Sequence, residues 1–131
     1  MESLRKIADS IEYKEFVEFC EEKYSKILLT RNENYEVYLI CWRAGQHTCI
    51  HDHPDGGCLM KMVSGTLLEE NYRPGGEFLY PRTYIPTMYG FKCGNNIVHR
   101  ITAMEDSLSI HVYFPPNYKA TIYDFDADNT K

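Results

Sequence analysis

Three histidines set the first chemical question. His51 and His53 stand two residues apart, and His99 lies 46 residues beyond them. On a β-strand, residues i and i+2 share one face, so both imidazoles of His51-Asp52-His53 point one way and Asp52 the other. If that face lines a barrel and His99 reaches it from another strand, three neutral nitrogen donors converge. Such a set binds a divalent transition metal, and imidazoles alone do not choose among Zn, Ni, Cu and Fe. An isolated H-x-H is also found as a surface or hydrogen-bonded pair, so the surroundings must decide. A second polar row lies at Ser109, His111 and Tyr113, again at i, i+2 and i+4. Leu108, Ile110 and Val112 fall on the opposite face. Polar groups on an inner strand face must be hydrogen-bonded, and a Ser–His–Tyr relay satisfies that need while bringing a phenol toward the metal. The plainer alternative is a polar ladder that only stabilises the sheet.

The elements that must position these residues read as strands. From residue 33 the hydropathy alternates with period two, and both rows of 35–42 are largely apolar, as in a strand covered on both faces. Short strand-like runs follow at 48–53, 58–63, 66–72, 77–80, 89–93, 97–103 and 108–114. Pro54-Asp55-Gly56-Gly57, Ser64-Gly65, Pro74-Gly75-Gly76 and Gly94-Asn95-Asn96 punctuate them as turns. About eight strands predict an all-β jelly-roll barrel. Residues 1–26 are predicted mostly helical. Asp9 and Glu12 have capping-box spacing, and Tyr13, Phe16, Val17, Cys20 and Tyr24 form one apolar helical face. The tail beyond Phe125 is expected to fray. The chain thus reads as one domain over 1–131, with the helical segment 1–26 packed on the barrel.

Composition excludes several function classes. The chain has 131 residues, 44% hydrophobic and 25% charged, with a net charge of −5. The pI is near 5.5, and Lys and Arg do not cluster, which argues against nucleic acid or an anionic membrane as partner. No apolar run reaches the roughly 18 residues of a membrane span. MESLRKIADS is too polar for a signal-peptide core, so a cytoplasmic protein is expected. The five cysteines (20, 41, 49, 58 and 93) are odd in number and form no C-x-x-C, so they read as reduced thiols. His47 is expected at a rim, with Asp52 and Asp55 at the surface and in a turn.

The string Gly45-x5-His51-x-His53-x4-Cys58-x6-Gly65 resembles the first cupin motif, which implies a double-stranded β-helix. Cys58 stands where most cupins place a glutamate ligand. A second cupin motif is carried by Gly94 and His99, with a spacing two residues longer than usual and Ala103 in place of asparagine. A site of three histidines without a carboxylate keeps the full +2 charge of a metal, and so favours an anionic ligand such as a thiolate.

A more specific resemblance runs over residues 30–116. Thr30-Arg31-Asn32, Leu39-Ile40-Cys41-Trp42, Ile50-His51-Asp52-His53, Cys58, His99-Arg100-Ile101 and Ser109-Ile110-His111-Val112-Tyr113-Phe114-Pro115-Pro116 resemble cysteine dioxygenases. The resemblance implies Fe(II) ligation by His51, His53 and His99. It implies Arg31 as the partner of the substrate carboxylate and a Cys58–Tyr113 thioether crosslink. Ser109 and His111 would orient the tyrosine hydroxyl, Trp42 would sit near the site, and Phe114–Pro115 would be a cis bond. The implied reaction oxidises free L-cysteine to its sulfinate with O2, a step of cysteine catabolism in a monomeric enzyme. Leu29 stands where many members carry a tyrosine and Gly57 where mammalian members carry a histidine. The chain is also shorter than typical members, mainly at its N-terminus. Two alternatives stay open: a dioxygenase for another thiol, such as 3-mercaptopropionate or a protein N-terminal cysteine, and a non-catalytic cupin that binds a metal or small ligand.

Overall fold

The computed structural model describes residues 2–125. Helix α1 (Glu2–Ser10) and a single 3-10 turn (Lys14–Phe16) precede ten strands. These are β1 (Ser25–Arg31), β2 (Glu36–Trp42), β3 (Ile50–His51), β4 (Cys58–Ser64), β5 (Leu67–Tyr72), β6 (Phe78–Tyr84), β7 (Tyr89–Lys92), β8 (Val98–Ala103), β9 (Ser107–Tyr113) and β10 (Ile122–Tyr123). One antiparallel sheet has the order β1-β2-β9-β4-β7 and the other β10-β3-β8-β5-β6. The all-β jelly-roll expectation holds.

Two apolar layers flank the first sheet. Val37, Leu39, Cys41, Leu59, Ile110 and Val112 pack outward against Leu4 and Ala8 of α1. Ile40, Trp42, Met60 and Met62 pack inward, toward Leu67, Tyr84, Ile101 and Ala103 from the second sheet. The strand β2 is therefore buried on both faces, as its two apolar rows require. The row Leu108, Ile110 and Val112 faces the helix side, leaving Ser109, His111 and Tyr113 for the space between the sheets. Burying one leucine such as Leu4 contributes about 1.5–3 kcal/mol, so the short helix closes the outer face of the sheet at modest expense of chain.

The N-terminal prediction is corrected. The helix ends at Ser10, and residues 17–24 are not helical, so the apolar series at 13, 16, 17, 20 and 24 never forms one face. Phe16 and Val17 are exposed. Ser25 Oγ donates to Glu18 O at 2.6 Å and Gln46 Nε2 to Cys20 O at 2.8 Å. These bonds lay the segment along the barrel, and Tyr24 packs on Trp42 with ring centroids 4.9 Å apart. Pairing of β1 with β2 begins at Ser25, so the last two residues of the predicted helical segment, 25 and 26, are strand. Asp9 lies inside α1 rather than at its cap, where it accepts from Tyr89 Oη and meets Lys61 Nζ at 3.0 Å. The predicted frayed tail, 126–131, lies outside the described residues. Among the described residues no helix is long and apolar enough to cross a membrane.

Candidate metal centre

The second sheet brings the three histidines together. His51, at the end of β3, is the register partner of His99 on β8 and of Ile122 on β10. His53 follows the strand, and its backbone N–H donates to Gly94 O at 3.1 Å. The ring centroids lie 5.1 Å apart for His51–His53, 4.7 Å for His51–His99 and 4.4 Å for His53–His99. One nitrogen from each ring lies within 4.8 Å of the other two.

Hydrogen bonds fix which nitrogens face the centre. His99 Nδ1–H donates to Glu69 Oε2 at 2.7 Å, and His51 Nδ1–H to the Cys49 carbonyl at 3.0 Å. Both Nε2 lone pairs are then free. His53 Nε2 lies 2.9 Å from His99 Nε2, while His53 Nδ1 is buried without a hydrogen-bond partner. Imidazole nitrogens about 2.1 Å from one ion, at right angles around it, lie about 3 Å apart. The close His53–His99 approach and the bare nitrogens therefore fit a metal ion. Burial also keeps the rings neutral, as ligation requires. It pushes His51 down to about 4 and lowers His53 and His99 as well.

Glu69 on β5 is the functional residue that the sequence reading missed. Its carboxylate is 2% exposed and also accepts from Asn71 Nδ2 at 2.9 Å and Tyr84 Oη at 3.3 Å. Lys92 Nζ lies 3.7 Å away. Burial alone would raise this carboxyl, but hydrogen bonds from His99 and Asn71 and the Lys92 charge hold it at about 2. A fixed carboxylate behind a histidine orients the ring and raises its basicity. Its signal was present: Leu67, Glu69 and Asn71 alternate inward along β5, the same arrangement as Ser109, His111 and Tyr113.

The first sheet supplies the facing wall. Trp42 Nε1 donates to Ser109 Oγ at 2.9 Å, and Ser109 lies 2.8 Å from His111 Nε2. Having accepted from the indole, the serine hydroxyl is free to give its proton to His111, which places the imidazole proton on Nδ1. Burial pushes the His111 ring down to about 3. Cys58 and Tyr113 are register partners across β4 and β9. Burial pushes the Cys58 thiol up to about 12 and raises the Tyr113 phenol, so both are protonated at neutral pH. Gly57, just before Cys58, has φ +110, and a Cβ there would meet the Phe91 ring at 2.3 Å. Phe114–Pro115 is cis, as the resemblance implied.

A cavity of about 210 Å³ joins the two walls. At roughly 30 Å³ per water it holds about seven waters, the scale of a small metabolite. The three histidines, Cys58, His111 and Tyr113 all line it, with Ile40, Met60 and Ile101 as apolar wall. Tyr118, Ala120 and Ile122 close one side. That strap is tied down by Asp52, which the sequence reading put at the surface. Asp52 is 4% exposed and accepts from Tyr118 Oη and Thr121 N, both at 2.8 Å, and from Tyr123 Oη at 3.3 Å.

Arg31 departs from expectation. It does not line this cavity, and its side chain is 42% exposed. Its Nε donates to Glu36 Oε2 at 2.7 Å and its Nη2 to Tyr38 Oη at 3.3 Å. Arg31 and Glu36 are the last register pair of the β1–β2 hairpin, so the nearest carboxylate captures the guanidinium. His47 stays outside the cluster, bridged to Thr102.

Comparison with known proteins agrees with this architecture. The family model for cysteine dioxygenase type I matches residues 1–127. Cysteine dioxygenase type 1 of Danio rerio is 25% identical, covering 86% of this chain and 62% of its own length. The Bos taurus and Homo sapiens proteins of that name are 27% and 26% identical, covering 80% and 83% of this chain. The chain spans about three fifths of the length of these relatives. Among solved structures, a Klebsiella pneumoniae protein with a double-stranded β-helix domain superposes with a TM-score of 0.69 at 18% identity, covering 86% of this chain and 95% of its own. A cupin-superfamily protein of Desulfitobacterium hafniense superposes at 0.64 and 11% identity, covering 78% and 86%. These likenesses establish the cupin fold.

Proposed function

The chain belongs to the cysteine dioxygenase type I family, and from that premise we propose that it oxidises free L-cysteine to cysteine sulfinate. The observation that carries the reading is the three-imidazole cluster opening on a small cavity whose far wall holds Cys58, His111 and Tyr113. Thiol to sulfinate is a four-electron oxidation, and one O2 accepts four electrons and supplies both product oxygens.

His51, His53 and His99 would hold Fe(II). Bound there, the metal supplies thiolate ligation and O2 chemistry that no side chain provides. Tyr113, kept protonated by burial, donates a hydrogen bond toward the reacting sulfur and oxygen. The Trp42–Ser109–His111 chain holds the wall behind it. Ile40, Met60 and Ile101 exclude bulk water, which strengthens each polar contact inside. The register pairing of Cys58 with Tyr113 supports the thioether crosslink. In it Sγ bonds to a ring carbon, each partner gives up one hydrogen, and O2 takes the two electrons.

Oxygen uptake by Fe(II)-loaded protein tests the reading, with L-cysteine, 3-mercaptopropionate and cysteamine compared. Uptake with L-cysteine and formation of its sulfinate is expected. Uptake with another thiol alone would keep the site and change the substrate; uptake with none would favour a non-catalytic cupin.

A further inference from the structure

With Arg31 engaged elsewhere, the cavity needs another account of its charge. Lys26 lies on β1 opposite Ile40, and both residues line the cavity. Its Nζ stands 4.5 Å from the centroid of the Tyr38 ring and 4.9 Å from that of Tyr113. The two rings meet edge to face, with centroids 5.7 Å apart. They present π faces to the ammonium, a geometry that holds a cation without neutralising it. Among the described residues Lys26 forms no ion pair. The other cation of the cavity, Lys92, is paired with Glu69. Glu69 is the one carboxylate lining the cavity among the described residues, and its oxygens are taken by His99, Asn71 and Tyr84. The wall therefore offers a free positive charge beside Tyr113 and no free negative one. Lys26 is itself exposed on β1 while lining the cavity, so its ammonium stands at the cavity's open edge, beside the Tyr38 and Tyr113 rings.

We infer that Lys26, rather than Arg31, receives the carboxylate of the bound thiol. This rests on the thiol-dioxygenase reading. A ligand whose sulfur faces the three histidines and whose carboxylate reaches Lys26 spans the cavity past Tyr113. The Tyr38 and Tyr113 rings limit where the ammonium can point. Arg31 then acts as a positioning residue, holding the Tyr38 hydroxyl from outside.

Anaerobic titration of the Co(II)-loaded protein tests this, with binding read from thiolate-to-metal charge-transfer absorption. The probes are L-cysteine, 3-mercaptopropionate and cysteamine, which lacks a carboxylate. In Lys26→Met the Kd for the two carboxylate thiols is expected to rise about tenfold to a hundredfold, the loss of one charge-assisted hydrogen bond. The Kd for cysteamine should move less than about threefold, and Lys26→Arg should recover much of the loss. Unchanged binding in Lys26→Met, or equal weakening of all three thiols, would overturn the assignment and leave the dioxygenase reading intact. Selective weakening in Arg31→Met rather than Lys26→Met would return the role to Arg31. A wild-type protein that binds Co(II) but shows no thiolate band with any probe would refute the dioxygenase reading, and Lys26's role with it.

Discussion

Replacing Glu69 with glutamine keeps the side chain's shape and removes one buried charge. The carboxylate lies 2.7 Å from His99 Nδ1 and 2.9 Å from Asn71 Nδ2, with Lys92 Nζ at 3.7 Å. A glutamine oxygen can still accept from His99, but as a neutral acceptor of roughly half the strength. Its NH2 group must then face the donors of Asn71, Tyr84 and Lys92. Loss of such a partner behind a metal-binding histidine weakens metal affinity about 10- to 100-fold, equivalent to about 1.4–2.7 kcal/mol. Competition with a chromophoric chelator measures this for Co(II), with the melting temperature of the metal-free protein recorded beside it. At saturating metal, Glu69→Gln should still hold one ion per chain, because the three ligands are intact. An affinity within twofold of wild type, together with a lower melting temperature, would show that Glu69 only fills the core and would refute the reasoning.

Three further outcomes are expected. His99→Ala should abolish stoichiometric Fe(II) binding, and normal iron content by metal analysis would remove His99 from the ligand set. Wild type should run as a doublet on a denaturing gel, with the bridged form faster, and Cys58→Ser as a single band; a doublet that survives the substitution would exclude the thioether. Burial holds His51 and His111 at about 4 and about 3, below their ordinary 6.5. The unfolded chain takes up these protons first, so metal-free protein should lose stability as pH falls from 6.5 toward 4. Urea midpoints at pH 7.5, 6 and 5 check this, and a flat series would contradict it.

The sheets were legible because their strands are buried in ways that leave a periodic trace. The double apolar rows of β2 and the Ser109-His111-Tyr113 row of β9 each admit one arrangement in a two-layer fold. His51, His53 and His99 were legible for the same reason, since a strand's pleat puts i and i+2 on one face. The N-terminus was not legible, because a helical period at 13–24 carries no information about the bonds to Glu18 O and Cys20 O that lay this segment along the barrel. Glu69 and Asp52 were passed over for a different reason. A lone acidic residue on a strand ordinarily faces water, and only the partners that the fold brings make its burial affordable. Arg31 shows the converse, because its motif is intact yet a carboxylate five residues away, Glu36, competes for the guanidinium. Lys26, on the same strand, has no such local partner.

The central claim is that this cavity transfers both atoms of O2 to a single thiol. Incubating Fe(II)-loaded protein with L-cysteine under 18O2 and weighing the product tests it most directly. The account predicts cysteine sulfinate carrying two 18O atoms, about 4 Da heavier than the 16O2 product. Cystine as the only product, or sulfinate with one or no label, would contradict it.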